Sequence, residues 1–164
     1  MIKNYKKGFT LIELLVVIAI IGILASVVLA ATSSARTKGQ DAAVTSDLDS
    51  SRAQAELYYN DNTNSYLSVC SSAPLGTGTK GIITMLQGAA TSGGRAAPVT
   101  TATTPGAWNT VTCHDSATAW AAEAPLSASA SGATVMWCVD STGASKKEPN
   151  LNLGASGVTQ FACQ

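Results

Sequence analysis

One carboxylate, Glu13, stands inside the run Phe9–Ala31, 23 residues that carry no other charge. An acidic side chain in so apolar a segment costs a few kcal/mol in lipid, ~2.5–3.5 near the centre, and marks a functional candidate that needs a partner. Cleavage between Gly8 and Phe9 would create one, an α-ammonium four residues before Glu13. Ammonium and carboxylate are each expensive to bury alone and much cheaper together. Pairing inside one helix is open to them. Pairing between neighbouring subunits would also fix the axial offset at which the helices stack, since a polar group in an apolar seam specifies register.

The rest of the chain offers little reactive chemistry. The single histidine, His114, lies between Cys113 and Asp115 and has no nucleophile and base set beside it in sequence, so it reads as a turn residue. Asp41, Asp47 and Asp49 do not follow an EF-hand pattern and read as a solvated helix face. Asp140, followed by Ser141 and Thr142, suits a local Asx-turn better than a calcium site. There is no P-loop, no Rossmann glycine pattern and no metal-ligand cluster. No catalytic residue, no cofactor and no metal is expected; any motor is another protein.

The elements that must position Glu13 follow from periodicity. A helix over Phe9–Ala31 would reach about 34 Å, enough for a hydrocarbon core of about 30 Å. Lys3, Lys6 and Lys7 precede it, which keeps the N-terminus cytoplasmic and sends the remainder across the membrane. An ordinary cleaved signal peptide, ending near Val28-Leu29-Ala30, fits less well, because the apolar run is too long and carries a carboxylate. Gly22 and Thr32-Ser33-Ser34 are the weak points of this helix. Beyond it, Val44, Leu48, Ser51, Ala55 and Tyr59 recur at helical spacing, with Arg52 and Glu56 as an i,i+4 pair. Asn60–Ser65 then ends the helix with turn-favouring residues.

From Thr37 onward the chain has six Lys/Arg against nine Asp/Glu, a net of −3, and no basic run longer than Lys146-Lys147. That weighs against nucleic-acid binding. Residues 71–107 are rich in Gly, Thr, Ala, Ser and Pro and read as a variable loop, with a short helix or turn at Ile82–Leu86. Thr118–Ala124 and Ala133–Asp140, separated by Pro125 and a small-residue turn, suit an antiparallel hairpin, although the first is alanine-rich enough to be a helix. Val111-Thr112-Cys113 adds a short strand. Cys70, Cys113, Cys138 and Cys163 are spaced 43, 25 and 25 residues apart, with no C-x-x-C, and read as two disulfides formed outside the cytoplasm. Four cysteines allow three pairings. Cys138–Cys163, stapling the C-terminal tail to a strand, with Cys70–Cys113 tying the loop to the sheet, is favoured; links from Cys70 to Cys138 or Cys163 stay open.

The stretch Lys6-Lys7-Gly8-Phe9-Thr10-Leu11-Ile12-Glu13-Leu14, continued by Leu15–Leu24, resembles the N-terminal signal of type IV pilins and pseudopilins. The basic leader, the Gly before the cut, the Phe after it and the Glu at the fifth mature position all align. The likeness is strong over residues 6–31 and weaker up to about Tyr66; Trp137–Gly143 resembles a late strand and turn of several such proteins. It implies that a prepilin peptidase cuts after Gly8 and methylates the amine of Phe9, and that Glu13 neutralises that amine on an adjacent subunit. It also implies an assembly ATPase and an inner-membrane platform protein as partners, with self-association into a helical filament. The chain departs from the family at Ala30, where many members carry proline, so the kink associated with that proline is not implied.

The expected fold is α+β, pilin-like: a long N-terminal helix whose second half packs on a small antiparallel sheet. Residues 1–8 form a leader, 9–36 the membrane and filament-core helix, and 37–164 a soluble head. Within the head, helix covers 37–60, the variable loop 71–107, the sheet about 110–145 and a tail 146–164. The expected product is a single-pass membrane precursor that matures into a surface filament for adhesion, motility or DNA uptake. Two alternatives stand beside it, a pseudopilin of a type II secretion or competence apparatus and a membrane-anchored extracellular binding domain that does not polymerise.

Overall fold

The computed structural model describes residues 8–71, 80–93, 100–101, 109–127, 135–149, 153 and 161–163. The basic leader, much of the loop 71–107, Ala133-Thr134 and most of the tail lie outside the described residues. Two compact units divide the chain, Met1–Thr37 and Lys38–Gln164.

One helix, α1 (Leu11–Asp61), runs through both. It passes Gly22, Thr32-Ser33-Ser34 and Ala30 without a break. The Thr32 hydroxyl is kept from competing by donating to the Val28 carbonyl inside the helix. In the first unit the large apolar side chains from Phe9 to Leu29 are exposed. In the second unit Val44, Leu48, Ser51, Ala55 and Tyr58 are buried. The last member of the stripe is therefore Tyr58 and not Tyr59, because steps of four, three, four and three hold the helical period where a further step of four drifts off the face. Tyr59 instead stacks on Tyr66, ring centroids 4.4 Å apart. The helix ends with Thr63 and Asn64 at positive φ, and the Asn64 amide donates to the Tyr59 carbonyl, a Schellman-type closure.

The fold of the second unit is α+β. A second helix, α2 (Ile83–Ser92), extends the apolar patch expected at Ile82–Leu86. Gly81 before it is required, since a Cβ there would lie 2.1 Å from the Val69 carbonyl oxygen, the acceptor of the Ile82 amide. The sheet has the order β1-β2-β3-β4-β5, with β1 (Thr100–Thr101), β2 (Thr112–Asp115), β3 (Trp120–Pro125), β4 (Met136–Asp140) and β5 (Ser145–Glu148). β2 to β5 form an antiparallel meander, and β1 adds a two-residue parallel edge.

Several expectations are corrected. Residues 145–148, placed at the boundary of sheet and tail, form a strand. The turn before it, with Gly143 at φ 99°, folds Ser145–Glu148 back onto β4. Thr100–Thr101, placed in the loop, pairs with β2. The alanine-rich segment, expected as the first strand of a hairpin with helix as its alternative, is a strand, and it is buried along its whole length. His114 is a buried strand residue and not a turn residue.

The two faces of the sheet differ. Cys113, Trp120, Ala122, Ala124 and Val139 join one core with Val44, Leu48, Ala55 and Tyr58 of α1 and with Leu86 and Ala89 of α2. The alternate residues Thr112, Glu123, Cys138 and Asp140 face the other way and are also buried. Two disulfides cross the head, Cys70–Cys113 and Cys138–Cys163.

Candidate assembly segment and head anchors

Thr10-Leu11-Ile12-Glu13 opens α1 as a capping box. The Glu13 amide donates to the Thr10 hydroxyl at 3.3 Å, and one Glu13 carboxylate oxygen accepts from the Thr10 amide at 2.8 Å and its hydroxyl at 2.7 Å. A carboxylate in the first turn also faces the positive end of the helix dipole. Sequence reasoning gave Glu13 a role and missed Thr10, although Thr-x-x-Glu before an apolar run is the legible mark of this cap.

Gly8 and Phe9 precede the helix, and both are exposed. A Cβ at Gly8 would meet nothing within 4 Å, so the chain itself has no steric need for glycine there. Behind Glu13 the helix reaches a mean hydropathy of 3.1 over 18 residues, long and apolar enough to cross a membrane, with none of that window buried. The segment thus combines an exposed Gly8 and Phe9, one oriented carboxylate and an exposed apolar surface.

In the head, polar side chains expected to be idle hold the fold together. The aspartates read as a solvated face each reach a different segment. Asp41 accepts from the Ser127 amide at 2.6 Å, Asp47 from the Ser92 hydroxyl at 3.3 Å, and Asp49 from the Ser145 hydroxyl. Glu56 accepts from the Tyr66 hydroxyl at 2.8 Å. Burial, and then this bond to Glu56, push the Tyr66 phenol up to about 12.

The tail is anchored on the far side of the sheet. The Leu153 amide donates to buried Glu123 at 3.0 Å, and the Cys163 amide donates to Asp140 at 2.8 Å beside the Cys138–Cys163 bond. The other Asp140 oxygen accepts from the Thr142 amide, the Thr142 hydroxyl and the Ala144 amide, which makes an Asx-turn. Burial alone would raise the Asp140 carboxyl, but these donors outweigh it and hold it below its ordinary value. Near the other disulfide, Asp115 accepts from the Cys70 amide at 2.8 Å, yet burial dominates and raises its carboxyl. No group of three or more His, Cys, Asp or Glu that could hold a metal occurs among the described residues.

Residues 3–29 match the family described as the prokaryotic N-terminal methylation motif. The chain is 52% identical over 62 residues to the type IV wide pilus major component PilA4 of Thermus thermophilus. That match takes in 38% of this chain and 47% of the relative, so the chain spans about half of the relative's length. No solved structure matches the chain. The motif falls on the segment that holds Gly8, Phe9 and Glu13, the relative is a type IV pilus component, and the second unit is helix on sheet; over its N-terminal part the chain is similar to a type IV pilin.

Proposed function

We propose that the chain is the precursor of a pilus subunit, cut after Gly8, methylated at Phe9 and polymerised through α1 into a surface filament. The observation that carries this reading is the match of residues 3–29 to the methylation motif, on a helix whose apolar side chains from Phe9 to Leu29 are exposed. The space around Gly8 supports the first step. With no steric demand inside the chain, the glycine answers to the binding cleft of a processing peptidase. The precursor waits as a single-pass membrane protein with a cytoplasmic N-terminus, and an assembly ATPase with its platform protein draws it out. Packing apolar segments against each other only replaces packing against lipid, so specificity falls to shape and to the polar pair. In this reading Glu13 exchanges the Thr10 cap for the Phe9 amine of a neighbour, and the exchange sets the axial offset.

The relative named as a pilus major component favours a pilus over a pseudopilin apparatus. The test is mass spectrometry of the mature N-terminus together with electron microscopy of sheared surface filaments. The expected terminus is Phe9 carrying one methyl group. An intact Met1 end, or a terminus after Ala30, overturns the processing. Glu13→Ala, expressed without wild-type subunits, is expected to leave cleavage largely intact and to cut filament yield about tenfold or more, the scale on which an unpaired buried amine disfavours assembly. Normal yield from that variant refutes the register role.

A further inference from the structure

A cleft of about 360 Å³ opens in the head between α1 and the β4–β5 turn. Asp49, Arg52 and Glu56 line it from the helix, and Trp120, Ser141 and Gly143 from the sheet. Its volume lies in the range of small-ligand sites. None of its residues belongs to the N-terminal segment.

The polar groups at the cleft are only partly used. Arg52 is half-buried and, among the described residues, has no hydrogen-bonded or ionic partner. Asp49 spends one oxygen on Ser145 and Glu56 spends one on Tyr66, which leaves each a second oxygen. The Ser141 oxygen accepts from the Trp120 amide at 3.3 Å and keeps its O–H to donate. Asp140 also borders the space, but its two oxygens serve four donors of the turn and tail. The cleft therefore presents a guanidinium with N–H donors to spare and two carboxylates with acceptors to spare.

That mixture discriminates between ligand classes. A simple anion meets more carboxylates than cations in the lining. A simple cation meets the guanidinium set between them. A neutral molecule with adjacent hydroxyls can accept from Arg52 while donating to Asp49 and Glu56. We infer that this cleft is a binding site for a neutral saccharide. The turn is pre-organised for it by the Asp140 hydrogen bonds and by the Cys138–Cys163 bond, which lowers the ordering cost of binding. Gly143 helps as well, since its positive φ excludes a side chain that would stand 3.5 Å from the Arg52 guanidinium.

Saturation-transfer NMR on the full mature protein in detergent micelles tests this, with glucose, galactose and N-acetylglucosamine as neutral probes at millimolar concentration and acetate and ethylammonium as charged ones. At least one neutral sugar is expected to bind, and Arg52→Gln is expected to weaken it about tenfold, the scale of one lost charged hydrogen bond. Asp49→Asn with Glu56→Gln is expected to weaken it further. Should a variant fail to fold, the Arg52 Nε–H resonance of the wild type must still shift on adding that sugar. Absence of transfer to every neutral probe, undiminished binding by folded Arg52→Gln, an unmoved Arg52 resonance, or preference for acetate or ethylammonium overturns the assignment.

Discussion

The two faces of the head's sheet are both buried, yet they are held by different physics. Toward α1, Cys113, Ala122 and Val139 meet Leu48, Ala55 and Tyr58 in an apolar core. Away from it, Glu123 accepts the Leu153 amide, Asp140 accepts the Cys163 amide beside those of its own turn, and one disulfide holds Cys163 to Cys138. The first face is stabilised by area removed from water, which is non-directional and tolerates small shifts. The second is stabilised by a few directed bonds, each costly if one partner is lost. A chain poor in large aliphatics covers one face by packing and fastens the other.

Mutations should separate the two. The largest loss is expected from Leu48→Ala, about 2–5 kcal/mol of head stability by denaturant unfolding, from lost burial and the cavity left behind. Replacing Cys138 and Cys163 together by serine should cost about 2–4 kcal/mol, because a link over 25 residues no longer restrains the unfolded chain. Glu123→Leu should cost about 1–3 kcal/mol by leaving the Leu153 amide without its acceptor. The faces then differ in hydrogen exchange as well as in size: Glu123→Leu should speed exchange at Leu153 far more than at Leu48, whereas Leu48→Ala should speed both alike.

The smallest effect is the pH dependence. Asp140 is held below its ordinary value, so its contribution is present above the unfolded-state value and is lost as pH falls through the folded one. Asp115 is raised, so the folded state binds its proton more tightly, and stability falls as pH rises from the unfolded value through the folded one. Asp140→Asn should therefore flatten acid destabilisation and Asp115→Asn should steepen it. Equal slopes for both variants would remove the distinction.

What the sequence made legible is what it encodes locally. Gly8, Phe9 and Glu13 sit within six residues of one another, and the apolar run and helical stripe announce themselves by period. The strands around Trp120 and Val139 follow from their composition and flanking turns. The strand Ser145–Glu148 has no such mark: Ser-Lys-Lys-Glu lacks alternating apolar residues and is a strand because β4 offers it an edge. Asp41, Asp47 and Asp49 were misread for a related reason. A carboxylate on a helix looks solvated until the segment that meets it, up to 96 residues away, is in place. The cleft likewise joins α1 to a turn far along the chain.

Those three aspartates also bear on how the head responds to force. They couple α1 to Ser127, Ser92 and Ser145, three separate stretches, from positions spanning only about 12 Å of helix. Tension drawn along α1 would load the three couplings side by side in shear, not open them one after another. Bonds that must yield together resist more than the same bonds unzipped in turn, so under pull the three stretches stay seated on the helix.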